Sequence, residues 1–425
     1  MTIKLPALPD GWTSTRVDRV ASVSARIGWK ALTADEYQSE GYAFLATPNI
    51  KSQNIDFQKV NYITEERYEE SPELKLQSGD VLLAKDGNTL GIVNIVTDLP
   101  RPATVNGSIA VIRPFGIYPA FLRYFLASGV TQAAIEMLKG GMGVPHLFQW
   151  DINRLPISMP AIEEQRRIAD FLDAETARID RLSTLQFEAA KRLDERDAAL
   201  RDTLVDALFN DVGEISLRRL STVIEQGASP QCEAVPREPG EWGILKLSAV
   251  KGGAFYPREN KRLPDDIEPA RANEVRTGDF LVTRANTPNL VGDVAVVNGA
   301  CEQLLLPDLI YRVGLSTSVL PEFVAQVAMS SRVRTFIQAV ARGSSQSMVK
   351  LRGEDIRAWP IPAATIAQQR ALVENVREGT STTALLRTII GRQLALLAER
   401  RQALITAAVT GEFDVPSASG REVEK

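Results

Sequence analysis

His146 is the only histidine in this chain of 425 residues. Ser-His-Asp triads, HExxH zinc sites and His-centred metal clusters all need histidine with partners at set spacings. A lone histidine inside the small-residue loop "KGGMGVPHLFQW" (139–150) excludes or nearly excludes all three, and it reads as a loop residue before it reads as a general base. Two cysteines, Cys232 and Cys301, make neither a CxxC motif nor a disulfide framework, which fits a reducing, cytoplasmic compartment. The acidic clusters "EERYEESPE" (65–73) and "PDDIEP" (264–269) could offer oxygen ligands to a cation, but no spaced ligand set accompanies them. They read as solvated loops. The sequence holds no Gly-Lys pair for a phosphate loop and no Pro-Pro pair for the usual catalytic loop of amino-methyltransferases. No GxGxxG follows a strand pattern. No metal site and no catalytic residue is expected. The polar loops that remain are where recognition groups usually sit.

Those loops occur twice. Sliding the chain against itself by 204 positions lays "DINRLPISMPAIEEQRRIADFL" (151–172) on "DIRAWPIPAATIAQQRALVENV" (355–376). Asp151-Ile152 falls on Asp355-Ile356, Pro156-Ile157 on Pro360-Ile361, and Gln165-Arg166 on Gln369-Arg370. The register continues without a gap through Leu193 on Leu397 to Ala199-Leu200 on Ala403-Leu404. Upstream the repeat loosens: "GDVLLAKDGNTLGIVNIV" (79–96) resembles "GDFLVTRANTPNLVGDVAVV" (278–297) at an offset near 200. Each half therefore starts with a divergent globular head and ends in a closely repeated helical stretch. In the heads, "GDVLLAKDG", "GDFLVTRAN", "VNGSIAVIRPF" (105–115) and "LLLPDLIYRVG" (304–314) predict strands. "PAFLRYFLAS" (119–128) and "PEFVAQVAMSS" (321–331) predict short helices with proline at the first position.

Pro160 precedes a run without proline or glycine that lasts to Val212. Leu172, Ile179, Leu193 and Leu200 recur at sevens or multiples of seven, with Leu182 in the companion position. The second run repeats this with Ile390, Leu397 and Leu404, and Leu386 nearby; Gly379 and Gly391 interrupt it, predicting fraying or close packing. Neither stripe is wide enough to stabilise a helix of ~70 Å alone, so the two are expected to pair within the chain as an antiparallel coiled coil, the alternative being dimerisation between chains through the same seams. Net charge is −4, and residues 159–212 carry 8 basic against 13 acidic side chains, so the acidic excess sits on the first helix. The heads are nearly neutral and free to segregate charge onto one face. The N-terminal "MTIKLPALPDGW" lacks the apolar core of a signal peptide, and no apolar run is long enough to span a membrane.

The helix-entry segment "LPISMPAIEEQRRIADFLDAETARID" and the helix-exit segment "AERRQALITAAVTGEFDV" resemble those of the specificity (S) subunits of type I restriction–modification systems. "GDVLLAKDGNTLGIVNIV" resembles that family's target-recognition domains, and the order head–helix–head–helix matches over essentially the whole chain. The expected fold is α+β, with two mixed α/β target-recognition domains, two long helices and an internal pseudo-twofold repeat. The expected domains are residues 1–158, 159–212 (central helix), 213–362 (second head) and 363–414 (C-terminal helix), with a flexible tail at 415–425. The resemblance implies a non-catalytic DNA-recognition subunit, each head reading one half of a bipartite site in double-stranded DNA. It implies helices that space the heads and dock two methyltransferase (M) subunits, with restriction (R) subunits joining the larger complex. It also implies that S-adenosylmethionine, ATP and Mg are held by those partners, so that this chain binds no cofactor. Two divergent heads on a repeated spacer suit such a target on their own account, because a dimer-like reader matches half-sites at fixed separation. The rival reading is an architectural adaptor whose heads bind proteins.

Base edges are read by Arg or Lys at guanine and by Asn or Gln at adenine. The corner after the first "GD" strand offers Lys85, Asn88 and Thr89; its counterpart offers Arg284, Asn286, Thr287 and Asn289. The loops before the long helices add Lys139, His146 and Gln149 in the first head. In the second they add Arg342, Ser344, Ser345, Gln346 and Lys350. Lys85 and Arg284 make the strongest case, because the two coincide in the repeat.

Overall fold

The computed structural model describes residues 5–25, 32, 34–51, 54–140, 144–232, 235–299, 301–345 and 348–415, and of residues 343–345 the backbone. The chain divides into two compact units. One comprises residues 1–186 and 391–425, the other residues 187–390.

In the first unit the strands are β1 (Thr13–Arg16), β2 (Ala21–Ser24), β3 (Tyr42–Leu45), β4 (Asn61–Ile63), β5 (Val81–Ala84), β6 (Val93–Ile95), β7 (Ala103–Val105), β8 (Ile109–Pro114) and β9 (Pro156–Met159). Its short helices are α1 (Glu65–Glu69), α2 (Pro119–Ala127), α3 (Gly129–Leu138) and α4 (Gln149–Arg154). The long helix α5 (Ile162–Val212) starts in this unit. One sheet runs β2-β8-β5-β6 and a second runs β4-β3-β7, with β3 and β7 parallel. The second head repeats this plan. Its strands are β10 (Glu214–Ser216), β11 (Ser221–Gln226), β12 (Gly243–Leu245), β13 (Val250–Lys251), β14 (Ala254–Phe255), β15 (Asn260–Arg262), β16 (Phe280–Thr283), β17 (Ala285–Asn286), β18 (Val294–Val296), β19 (Leu304–Leu305) and β20 (Ile310–Leu315). After α6 (Pro321–Ala328) and α7 (Ser331–Val340) come β21 (Arg342–Ser345), β22 (Met348–Lys350), α8 (Gly353–Arg357), β23 (Pro360–Pro362) and the long helix α9 (Ile366–Thr410). The sheets β11-β20-β16-β18 and β15-β12-β19 reproduce the strand order of the first head, including the parallel pair.

The Gly-Asp pair that opens each central strand has a structural reason. Gly79 and Gly278 take φ of +92° and +93°, a left-handed turn that glycine enters without a Cβ penalty. Asp80 then accepts from the Gln77 amide at 2.8 Å and from Arg113 Nε and Nη2 at 2.8 Å each; Asp279 accepts from the Arg276 amide at 2.9 Å and Arg312 Nη1 at 3.3 Å. Each carboxylate thus locks a turn to the neighbouring strand.

Each head is welded to the ends of both long helices. In the first unit Ile168 and Leu172 of α5 and Ile405, Ala408 and Val409 of α9 share one buried cluster with the faces of β2, β5 and β8. Each of the Ile, Leu and Val side chains contributes about 1.5–3 kcal/mol on leaving water. In the second unit Val205 and Phe209 of α5 and Leu372 and Val376 of α9 do the same against α6 and α7. A repeated glutamine fixes the joint. Buried Gln165 accepts from the Tyr118 amide at 2.8 Å and donates to the Pro160 carbonyl at 2.9 Å. Gln369 accepts from the Leu320 amide and donates to the Ala364 carbonyl, both at 2.9 Å.

Within each unit the helices run antiparallel. In the second, Asp194 meets Arg387, Asp197 meets Thr383, Leu200 lies against Gly379 and Asp211 meets Gln368. In the first, Asp180 meets Arg401 at 3.4 Å. A Cβ on Gly379 would stand 2.3 Å from Leu200 Cδ2, so of the two expectations for this glycine close packing holds and the helix is unbroken; Gly391 has no such neighbour.

Several expectations are corrected. Leu172 and Ile179 are buried and Leu193, Leu200, Ile390, Leu397 and Leu404 partly so, but Leu182 and Leu386 are 44% and 41% exposed. A pair of helices covers only a narrow stripe, and positions on its flank stay in water. The "EERYEE" cluster is not a solvated loop but mostly the helix α1, started by the Thr64 hydroxyl, with Arg67 paired to Glu36 and Glu70 and Lys75 to Glu69. Val415, assigned to the tail, is buried in the first core; residues 416–425 lie outside the described residues. Among the described residues no group of three or more His, Cys, Asp or Glu is placed to hold a metal ion, and no helix is long and apolar enough to cross a membrane.

Candidate nucleic-acid interface

In each head the two polar loops picked out by the sequence come together. The first head joins its β5 corner to the loop before α4 by backbone hydrogen bonds: Leu147 N to Lys85 O at 2.9 Å and Gly87 N to Pro145 O at 2.8 Å. His146 bridges Asp86 on one side and Gly140 on the other. The second head uses the same wiring. Leu351 N donates to Arg284 O at 2.8 Å, and β17 pairs with β22, which sets Ala285 opposite Lys350 and Asn286 opposite Val349. Even the amide of the coinciding residue is treated alike: Lys85 N donates to Ser108 O and Arg284 N to Leu309 O, both at 2.8 Å.

The side chains on this shared frame differ. Lys85 is 6% exposed, with its ammonium 3.1 Å from Asp86 Oδ2, and Asp86 also holds His146 Nδ1. The sequence's strongest base-reading candidate in this head is therefore turned inward. Asn88 is exposed at the tip of the turn, and the Thr89 hydroxyl closes that turn on the Asp86 carbonyl at 3.1 Å. Lys139 is exposed at the end of α3 and paired with Glu136. Gln149 is committed to the fold: its amide donates to the Val23 carbonyl at 2.7 Å, and its buried Oε1 has no donor among the described residues.

In the second head Arg284 is half-buried. Its guanidinium reaches the Asp308 carbonyl at 3.4 Å and lies 5.8 Å from the Tyr311 ring centre. Asn286 Oδ1 accepts from the Thr287 amide at 2.9 Å, while Thr287 and Asn289 are exposed. The Asn289 carbonyl accepts from Arg334 at 3.0 Å. Arg342 and Lys350 are exposed on neighbouring strands. Ser344 and Ser345 lie in β21 by their backbone alone, and Gln346 lies outside the described residues.

Apolar groups that hydrogen-bond chemistry does not single out stand on the same surface. Val144, Phe148 and Trp150 are 65%, 47% and 54% exposed. Phe148 packs edge-on against His146 at 4.5 Å and alongside Trp150 at 6.2 Å, and Arg154 lies over Trp150 at 5.3 Å. Their signal was two aromatics inside a loop otherwise built for polar recognition. Burial pushes the nearby Asp151 carboxyl above its ordinary range, with the Phe148 amide and the charge of Arg154 pulling the other way.

Residues 9–187 match the family model described as the type I restriction modification DNA specificity domain. The specificity subunit of the type I restriction enzyme EcoKI from Escherichia coli (strain K12) is 22% identical over 425 residues, covering 96% of this chain and 90% of that subunit. The likeness to that specificity domain therefore lies on the first head and the start of the first long helix, and the likeness to a type I specificity subunit runs over nearly the whole chain. The EcoEI specificity subunit from Escherichia coli is 30% identical over 158 residues, 36% of this chain and 26% of its own. Among solved structures, a chain from work on the assembly and conformational transition of the type I R-M system covers 96% of this chain and 100% of its own. Its TM-score is 0.62 at 19% identity, which extends the family likeness to the fold. The matched span ends at residue 187, next to residue 186 where the first unit's N-terminal segment closes.

Proposed function

We propose that this chain is the DNA-recognition subunit of a type I restriction–modification complex, and that each head reads one half of a bipartite duplex site. One observation carries the reading. The corner and the loop are wired identically in both heads, whereas the groups they present differ, with His146 where the second head has Lys350 and Asn88 at a turn where it has Thr287 and Asn289. A constant backbone frame with variable polar side chains is what base-edge readout requires, since most other contacts to DNA position the protein on phosphate without reading sequence.

On this reading α5 and α9 hold the heads apart and offer their outer faces to two methyltransferase subunits, with restriction subunits in the larger complex. The chain itself catalyses nothing and holds no cofactor; S-adenosylmethionine, ATP and Mg belong to the partners, and the complex works in the cytoplasm. The absence from the sequence of a phosphate loop, a Pro-Pro catalytic loop and a histidine cluster supports that division. The test is a gel shift of the purified chain together with its methyltransferase partner on duplexes of defined sequence. Binding to one bipartite sequence over scrambled controls, at a salt concentration that strips non-specific complexes, supports the proposal; equal binding to all duplexes overturns it.

A further inference from the structure

The exposed aromatic ledge of the first head, Phe148 and Trp150, has no counterpart in the second. At the offset of 204 their places are taken by Arg352 and Glu354, and that of Arg154 by Ala358. The difference separates the possible occupants. Methyltransferase subunits that are copies of one another would be met by surfaces that repeat, such as the helix-entry segments. A feature confined to one head suits the partner that itself differs between heads, which is the DNA half-site. The neighbours of the ledge agree. Asn88 stands exposed on the corner tied to this loop, His146 touches Phe148, and the Arg154 guanidinium covers Trp150 as a cation set for phosphate.

The geometry points to Phe148 and Trp150 as specificity-determining residues of the first head, which select thymine by its C5 methyl group in the major groove. This rests on the reading of the heads as DNA readers and names what one of them reads. The major-groove edge of a T·A pair is the one that carries a methyl, and apolar side chains such as Phe recognise it by contact. A ring already held against His146 and Trp150 brings that contact without ordering a free side chain, which lowers the entropy cost of binding.

The experiment uses the full chain in complex with its methyltransferase partner. The recognised sequence is first read from methylated genomic DNA. Duplexes are then made in which each thymine of either half-site is replaced in turn by deoxyuridine, which lacks only the methyl. The expected result is a loss of roughly fourfold in affinity, the equivalent of one methyl returned to water, at one or two thymines of a single half-site. The same substitutions should have no further effect on a Phe148→Ala, Trp150→Ala double variant, while that variant keeps its discrimination at the other half-site. Specific binding that ignores every deoxyuridine, a half-site of the first head that holds no thymine, or a double variant that keeps the full deoxyuridine effect would each overturn the inference and leave the recognition reading intact. A complex that binds no sequence specifically overturns that reading and the inference with it.

Discussion

Gln165 and Gln369 show how a single side chain joins head to helix. Each amide oxygen accepts the amide just ahead of a short helix while its nitrogen satisfies a carbonyl before the long one. Gln165→Leu keeps the bulk and strands both partners, so the full chain should lose about 1–3 kcal/mol, read from the urea midpoint at constant slope. A change within about 0.5 kcal/mol would place the joint elsewhere. The repeated Gln-Arg pair was plain in the sequence, but its role was not, because Tyr118 is 47 positions from Gln165. Lys85 is the converse case. Its coincidence with Arg284 was legible, whereas its burial beside Asp86 depends on a loop sixty residues downstream that brings His146 to the same carboxylate. Tyr124 supplies a pH test at this scale. Burial raises its hydroxyl from 10.0 to about 12, and the neutral group donates to Asp173 at 2.6 Å. Because the folded value lies above the free one, the neutral form contributes stability that is complete below about pH 10 and is lost as pH climbs toward about 12. The loss should be on the order of 2 kcal/mol over that window in denaturant titrations. Tyr124→Phe should start less stable at neutral pH and fall less steeply; equal slopes would contradict the assignment.

The long helices are held by a polar layer as well as by their apolar stripe. Asp197 is 5% exposed and accepts from the Thr383 hydroxyl at 2.9 and 2.7 Å and from Arg387 Nη2 at 2.7 Å, while the same guanidinium reaches the exposed Asp194 through Nε. Arg387→Ala leaves the buried Asp197 carboxylate with the Thr383 hydroxyl and the longer Arg196 contact at 3.7 Å, and should cost about 3 kcal/mol. Asp194→Ala removes only a surface partner and should cost less than about 1 kcal/mol. Equal costs in thermal or urea unfolding would mean that the layer is not desolvated as described. Sevenfold leucine spacing made both helices and their pairing legible without a structure. It could not reveal this layer, since Asp197 and Thr383 carry no periodic signal and become partners only when the antiparallel register is set. The same limit explains Leu182 and Leu386: the period names a stripe, and the number of neighbouring helices decides how wide a stripe is covered.

Across the whole molecule, what repeats and what diverges divide the labour between architecture and recognition. Strand order, the Gly-Asp turn, the glutamine joint and the corner-to-loop wiring recur in both units, and the groups displayed on that wiring do not. With a net charge of −4, the chain alone should bind DNA weakly, because phosphate neutralisation dominates affinity. Salt titration of the purified chain checks this, and tight binding with a steep salt slope would contradict it. Two unlike heads should read two unlike half-sites. The direct measurement is methylation mapping of the genome of a host that carries this chain with its methyltransferase partner. The expected result is a single bipartite motif whose two parts differ in sequence and are separated by a fixed run of unspecified base pairs. A continuous motif, a perfect palindrome, or a motif unchanged when the second head is exchanged for another would contradict it.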